Sequence, residues 1–218
     1  LEVKMMSGSC RMRSTLFCRV FVRVVWGVMP LVVCIGDSNT GCARDAARAN
    51  RYPARLAELL PAGYEVFPCG RSGSTAGPGP NAYRDHAAFR EALVAAPLAD
   101  AVIVCLGTND AHQGQPATFE AGLEGIVKET VAAAPPSMRL VILSPIGLKR
   151  TIQPLIQWLL APAARSIAER WRAAWVSVDL LQEDFRPDLI HLSTAGALKV
   201  AQALGREVLT LCGDGAAR

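Results

Sequence analysis

The feature of this sequence that most narrows the choice of fold is an alternation of short apolar runs with segments of helical periodicity. A short, continuous apolar run is typical of a strand covered on both faces, as in the parallel sheets of α/β proteins. Apolar residues spaced three and four apart predict helices between these strands. The predicted strands are residues 31–35, 64–67, 101–106, 140–143 and 175–178, and the predicted helices are residues 52–60, 83–96, 119–134, 156–171 and 194–211.

This order of elements predicts an α/β fold in which parallel strands are joined by right-handed helical crossovers. We expect a three-layer α/β/α, flavodoxin-like arrangement around a five-stranded parallel sheet. No repeat or linker divides the segment, so residues 29–218 are predicted to form one domain. The length of 218 residues is enough for one domain with an ordinary hydrophobic core.

Residues 1–28 are interpreted as an extension outside this domain. Their basic start precedes an apolar run at 16–33 that superficially resembles a signal peptide or a membrane span. Arg19 and Arg23 interrupt the run, and a charge at the centre of a bilayer costs about 2.5–3.5 kcal/mol. No small-residue cleavage site follows it. We therefore expect a disordered or non-native extension and no membrane association, with an amphipathic surface anchor as the alternative.

Composition argues against several classes of protein. Hydrophobic residues make up 51% of the chain and charged residues 19%, which excludes a disordered chain. The net charge is only +4 and aromatic residues make up 6%, so the basic, aromatic surface of a nucleic-acid-binding protein is not expected. The seven cysteines include no C-x-x-C pair and the three histidines lack zinc-site spacing. We expect reduced thiols, no metal site and a cytoplasmic location, with secretion as the alternative.

Four polar stretches follow predicted strands, at the sheet edge where ligands bind in open α/β folds. They are GDSNTG at 36–41, CGRSGST at 69–75, LGTND at 106–110 and PDLIHLS at 187–193. Each has a simple structural explanation when it is taken alone, because Asp and Ser cap helices, Gly-rich loops form turns, and a single histidine is more often structural than catalytic. We expect the four stretches to converge at one edge of the sheet.

Taken together and in this order, the stretches resemble the SGNH hydrolases, also called the GDSL esterase and lipase family. The resemblance rests on Gly-Asp-Ser, then Gly, then Gly-x-Asn-Asp, then Asp-x-x-His, and it extends over residues 31–211. The first block reads GDSN here, which is similar to arylesterase-like members. The resemblance implies a serine esterase that uses no cofactor and no metal.

By this resemblance Ser38, Asp188 and His191 form a catalytic triad. A neutral serine attacks poorly, so a base must take its proton, and imidazole can both accept and return a proton near neutral pH. Asp188 then accepts a hydrogen bond from the other ring nitrogen and stabilises the imidazolium. Asp184 is the competing carboxylate, but the family pattern places the aspartate three residues before the histidine.

The resemblance also implies an oxyanion hole made of the backbone N–H groups of Ser38 and Gly73 and the side-chain amide of Asn109. Gly73 is preferred to Gly70 because it occupies the glycine of the family's Ser-Gly-x-Thr. Four neighbouring residues are expected to organise their own turns through local hydrogen bonds: Asp37, Thr40, Thr108 and Asp110. The sequence departs from the family at two places: Pro68 stands where Asn is frequent, and Arg71 adds a charge that we expect to face solvent.

The function that follows from this resemblance is hydrolysis of small carboxylic esters, with short acyl chains expected because the chain leaves little room for a lid. The longest apparent insertion is residues 147–157. Within the same family, a carbohydrate deacetylase, a lysophospholipase and an acyltransferase remain alternatives. A non-catalytic α/β module that binds a small anion is the alternative from another class. Neither the natural substrate nor the oligomeric state follows from the sequence.

Overall fold

The computed structural model describes residues 29–41 and 51–213. The predicted extension, residues 1–28, lies outside the described residues, so the prediction made for it stays a prediction.

A single parallel sheet organises the described residues. Its strands pair in the order β2-β1-β3-β4-β5, which is the flavodoxin-like order. The predicted five-stranded α/β fold is therefore confirmed. The strands are β1 (Leu31–Gly36), β2 (Glu65–Gly70), β3 (Ala101–Cys105), β4 (Arg139–Leu143) and β5 (Ala174–Val176).

Helices lie between successive strands and after the last one. A π-helix at Ile156–Leu160 joins α5 to α6, and short 3₁₀ helices lie at Tyr83–Asp85, Ala96–Leu98, Pro116–Thr118 and Gln182–Asp184. The α-helices are α1 (Tyr52–Leu59), α2 (Ala87–Ala95), α3 (Thr108–His112), α4 (Phe119–Ala133), α5 (Gln153–Leu155), α6 (Ala161–Arg170) and α7 (Thr194–Gly213).

Apolar clusters cover both faces of the sheet, because successive side chains of a strand point to opposite faces. Val33 of β1 belongs to the cluster that also contains buried residues of α2, α4 and α6. Val32 belongs to the other cluster, which contains buried residues of α1 and α7. The sheet is thus the middle of three layers, and it is buried on both sides as its continuous apolar strands predicted.

Several element boundaries differ from the prediction, and two of these differences have a clear local cause. The predicted helix at 83–96 is interrupted at His86, whose extended backbone (φ −91°, ψ 155°) separates the 3₁₀ turn from α2. Strand β2 continues beyond Phe67 through Pro68 to Gly70. A proline is tolerated there because β2 lies at the edge of the sheet, where fewer backbone donors are needed.

No helix within residues 29–41 and 51–213 is both long enough and apolar enough to span a membrane.

Candidate active site

The loop after β1 carries Ser38, and the carboxylate of Asp37 holds its shape. The backbone N–H of Asn39 donates to Asp37 Oδ1 at 2.9 Å, and the N–H of Gly41 donates to the Asp37 carbonyl at 2.9 Å. Burial raises the pKa of Asp37 to about 6, although the hydrogen bond from the N–H of Asn39 acts in the opposite direction. The loop is therefore a hydrogen-bonded turn that leaves Ser38 5% exposed.

Asp188 and His191 lie on one loop between β5 and α7 and contact each other. Asp188 Oδ2 is 2.8 Å from Nδ1 of the His191 ring. Asp188 Oδ1 accepts the backbone N–H groups of Ile190 and His191, each at 2.9 Å. Desolvation alone would raise the pKa of Asp188, but these bonds and the neighbouring ring outweigh it and lower the pKa to about 2. The carboxylate is thus ionised near neutral pH and holds one nitrogen of the imidazole.

The competing carboxylate, Asp184, has a different partner. Its Oδ2 accepts the Lys199 ammonium at 2.7 Å and the backbone N–H of Leu181 at 2.9 Å. Desolvation tends to raise its pKa, but these partners lower the pKa below the usual value. The geometry therefore assigns Asp184 to a structural ion pair and leaves Asp188 in contact with the His191 ring.

In the second loop, which follows β2, the backbone N–H of Gly70 has an acceptor and that of Gly73 does not. The N–H of Gly70 donates to Gly41 at 2.6 Å, which joins the second loop to the first. Within the part of the chain that the structure describes, no acceptor takes the backbone N–H of Ser38 or Gly73. Gly73 has a φ of +78°, a conformation that favours glycine, and a Cβ there would meet open space. Both backbone N–H groups predicted for the oxyanion hole therefore have no acceptor among the described residues.

Helix α3, which carries Asn109, fastens the Gly73 loop from the side. Asn109 Nδ2 donates to the Ser74 carbonyl at 3.1 Å, and Gln113 Nε2 donates to the Gly73 carbonyl at 3.0 Å. A carboxamide has two N–H groups, so the bond to Ser74 leaves Asn109 with a second donor. The structure thus joins Asn109 to the second loop at Ser74, the residue that follows Gly73.

Asp110 has a longer reach than the sequence indicated. Its Oδ2 and Oδ1 accept the backbone N–H groups of Ala76 and Gly77, both at 2.9 Å, and these residues are more than 30 positions away. Burial raises its pKa, and the two backbone donors partly counteract that effect. Asp110 was predicted to organise its turn rather than to react, and the structure adds that its carboxylate connects α3 to the second loop.

The threonines also make contacts beyond their own turns. Thr108 Oγ1 donates to the Ile146 carbonyl at 2.6 Å, and Thr40 Oγ1 lies 3.3 Å from the hydroxyl of Tyr52. The prediction of local bonding is therefore wrong for both, since each hydroxyl reaches a separate element. The prediction for Asp37, by contrast, agrees with its bonds to its own turn.

The side chain of Asn39 connects the loop of Ser38 to the loop of His191. Its Nδ2 donates to the Ile190 carbonyl at 3.2 Å, and its Oδ1 accepts the N–H of Leu192 at 3.0 Å. No local sequence signal distinguishes Asn39 from the other residues of the GDSN block, and none marks Gln113. Arg71 is exposed as expected, and its guanidinium also hydrogen-bonds the Ser72 carbonyl. The four strand-end loops are thus joined to one another.

Known structures share this architecture. An aryl esterase from M. smegmatis superimposes with a TM-score of 0.66 at 21% identity, covering 84% of this chain and 99% of that chain. A putative arylesterase from Agrobacterium tumefaciens gives a TM-score of 0.63 at 23% identity, covering 84% of this chain and 100% of that chain. A carbohydrate acetylesterase family member from Sinorhizobium meliloti gives 0.63 at 21% identity, covering 85% and 100%. These likenesses show the fold.

No protein with a curated description matches the chain. The sequence profile of the GDSL-like lipase/acylhydrolase family, however, matches residues 34–198, which include all four polar stretches up to the histidine loop. Because this match extends over most of the chain, the resemblance seen in the sequence is confirmed: the chain belongs to the GDSL-like lipase/acylhydrolase family of SGNH hydrolases and is a carboxylic ester hydrolase.

Proposed function

We propose that the protein hydrolyses short-chain acyl esters, acetyl esters of aryl alcohols foremost, through an acyl-enzyme on Ser38. The observation that carries this proposal is the contact of 2.8 Å between Asp188 and His191 on a loop fastened to that of Ser38. A carboxylate on one ring nitrogen leaves the other nitrogen available to a hydroxyl, which is what a serine nucleophile needs. A small-anion site would have no use for such a pair.

The proposed reaction begins with attack of Ser38 Oγ on the ester carbonyl carbon while His191 Nε2 takes the hydroxyl proton. Asp188 keeps Nδ1 protonated and stabilises the imidazolium that forms. His191 then returns the proton to the departing alcohol, leaving the acyl group on Ser38. Water attacks the acyl-enzyme in the second half, with His191 again as the base, and releases the carboxylic acid.

The tetrahedral intermediates carry a negative oxygen, which we assign to the N–H groups of Ser38 and Gly73 and the free amide hydrogen of Asn109. Donors that are fixed before the reaction need no reorganisation when charge develops, and each is worth about 10²–10³ in turnover. The bonds from Asn109 and Gln113 to the Gly73 loop support this assignment, because they fix the loop against α3.

The preference for short acyl groups is supported by how open the histidine loop is. The side chains of His191 and Asp188 are 32% and 45% exposed, so they border a shallow surface rather than a tunnel. Residues 147–157, the longest apparent insertion in the sequence, are anchored: the N–H groups of Leu148 and Lys149 both donate to the Leu189 carbonyl, and Ile152 is buried. Because this segment is held by backbone bonds, we do not expect it to close over a long acyl chain.

The test is to replace Ser38 by Ala and to measure hydrolysis of p-nitrophenyl acetate. We expect Ser38→Ala to lose nearly all activity and all labelling by a fluorophosphonate probe, because only the hydroxyl can carry the acyl or phosphonyl group. Ser72→Ala is the matched control, since Ser72 is an exposed serine beside Gly73. Undiminished activity of Ser38→Ala, or equal labelling of both variants, would refute the proposal.

Substrate size is tested with p-nitrophenyl esters from acetate to palmitate. We expect kcat/KM to be highest for the shortest acyl groups, and a preference for the long chains would contradict the open site. The alcohol portion has a second candidate, because the similar structures bear the names of carbohydrate acetylesterases as well as arylesterases. Comparing acetylated sugars with aryl acetates at equal concentration decides between them.

A further inference from the structure

Asn39 makes a contact that no role described so far accounts for. The side chain is buried, with 1% of its surface exposed, although an amide is costly to bury unless it is hydrogen-bonded. Its oxygen accepts the N–H of Leu192 at 3.0 Å and its nitrogen donates to the carbonyl of Ile190 at 3.2 Å. These two residues are the immediate neighbours of His191, so one side chain holds the backbone on both sides of the histidine.

The identity of the side chain matters for this contact. A backbone N–H can only donate and a carbonyl can only accept, so the bridging group needs one acceptor and one donor at a fixed spacing. The amide of Asn39 provides both. Its own backbone is fixed as well, because the N–H of Asn39 donates to Asp37 Oδ1 at 2.9 Å.

The other bonds of the histidine loop do not fix its distance from Ser38. Asp188 belongs to the same loop as His191 and moves with it. The N–H of Arg186 donates to the His191 carbonyl at 2.8 Å, and that of Ser193 donates to the Asp184 carbonyl at 2.9 Å, so these bonds are internal to the loop or to its ends. The bonds from Leu148 and Lys149 tie Leu189 to the segment after β4, not to the nucleophile.

We propose that Asn39 is a positioning residue that sets the distance between the hydroxyl of Ser38 and the ring of His191. This inference rests on the proposed function, since it assumes that these two groups exchange a proton. Asn39 does not touch the substrate in this proposal. It acts by joining the backbone of the nucleophile loop to the backbone of the base.

The first test is the kinetics of Asn39→Ala on p-nitrophenyl acetate. A displacement of about 1 Å between reacting groups costs on the order of 10²-fold in rate. We therefore expect kcat to fall on the order of 10²-fold while KM changes by less than about three-fold, because binding of the ester does not depend on the proton transfer.

The control is Thr130→Val, which removes another buried bond between a side chain and a backbone carbonyl. Thr130 Oγ1 donates to Ile126 at 2.8 Å in the last turn of α4, which precedes β4 and so lies at the opposite edge of the sheet from the site. Loss of this bond is expected to leave kcat unchanged, and urea unfolding of both variants gives the loss of stability with which each kcat is compared. An equal loss of kcat in both variants would mean that destabilisation alone explains the effect, and the proposal would fall.

The second test is Asn39→Asp, which keeps the shape of the side chain. When protonated, the carboxylic acid has an acceptor oxygen and an O–H donor and can make both bonds; when ionised, it has no donor and repels the Ile190 carbonyl. We expect the ratio of kcat/KM for Asn39→Asp to that of the wild type to rise as the pH falls from about 8 to about 5. The corresponding ratio for Asn39→Ala should stay flat. A flat ratio for Asn39→Asp would overturn the proposal, and this readout remains usable if the Ala variant folds poorly.

Failure of the inference is distinguishable from failure of the proposed function. If Ser38→Ala is inactive and Asn39→Ala retains the wild-type kcat, the positioning role is wrong and the esterase mechanism stands. If Ser38→Ala remains active, the mechanism is wrong and the positioning role fails with it.

Discussion

Replacing Gly122 by alanine should destabilise the protein even though alanine is the better helix former. Gly122 lies in α4 against the second loop, where a Cβ would be 2.1 Å from the Ala76 carbonyl oxygen, 2.5 Å from the Ala76 carbonyl carbon and 2.7 Å from the Gly77 nitrogen. All three distances are far below van der Waals contact, and all three neighbours are backbone atoms. The loop cannot easily move aside, because the N–H groups of Ala76 and Gly77 are both bound to Asp110.

The expected change in the free energy of unfolding is the difference between two effects. Alanine gains about 0.8–1 kcal/mol over glycine in the interior of a helix. Overpacking costs about 1–3 kcal/mol, and we take the upper end because the clash is with backbone atoms rather than with a side chain that could rotate. The net loss is about 2 kcal/mol, which reduces the folding equilibrium constant by roughly 30-fold.

The assay is urea unfolding of Gly122→Ala beside Gly125→Ala, a matched variant three residues further along α4. A Cβ at position 125 would meet the Arg84 guanidinium at 2.9 Å, the far end of a half-exposed side chain that can swing away. We expect Gly125→Ala to be as stable as the wild type or more stable by up to about 1 kcal/mol. If Gly122→Ala is equally stable, or if both variants shift alike, the reasoning from the contact with Ala76 is wrong.

Two further variants concern the acidic residues of the site. Asp188→Asn should lower kcat/KM on the order of 10²–10⁴-fold with the fold intact, because a neutral amide cannot stabilise the imidazolium, and wild-type activity in an ester assay would refute this. The folded pKa of Asp188 is about 2, below its ordinary value of 3.8. Its contribution to stability is therefore present above pH 3.8 and is lost as the pH falls through 2. The urea unfolding curves of the wild type and Asp188→Asn should accordingly converge at low pH. The folded pKa of Asp37 is instead raised to about 6, so the wild type should lose stability as the pH rises from 3.8 through 6. Asp37→Asn should lack this dependence. Parallel curves of unfolding free energy against pH for the two proteins would contradict the raised pKa of Asp37.

The central strands could be predicted because a strand buried on both faces appears in the sequence as a continuous apolar run. Leu31–Gly36 and Ala101–Cys105 are each buried along their whole length, and both were predicted to within a residue at either end. The predicted end of β2 falls before Pro68, whereas the strand continues to Gly70. A proline is compatible with a strand only where the strand lies at an edge of the sheet. The position of a strand in the sheet is a tertiary property that the local sequence does not carry.

Helix α3 was not predicted because it is too short for a periodic pattern. Three of its five residues, Thr108, Asn109 and Asp110, belong to the polar LGTND stretch, which indicates their chemistry but not a helix. The bond from Gln113 to the Gly73 carbonyl joins residues 40 positions apart, so no local sequence pattern predicts it. The family resemblance supplied the residues for the chemistry, but not those that hold them in place.

The same limit explains why Asn39 was overlooked. Its bonds to Ile190 and Leu192 join positions 151 and 153 residues apart, a separation at which sequence spacing carries no information. A polar residue after the serine could equally have faced solvent. Its burial and its two partners appear only when the chain is folded.

The separation of Asn39 from its partners in the sequence also has a consequence during synthesis of the chain. The nucleophile loop leaves the ribosome well before its partner loop, because 153 positions separate Asn39 from Leu192. Because domains fold as units and the long-range closure comes last, a nascent polypeptide holds a serine with no base beside it until translation of this region is nearly finished. Esterase activity would then be expected only from chains that include the histidine loop, and truncated products of interrupted synthesis would be inactive.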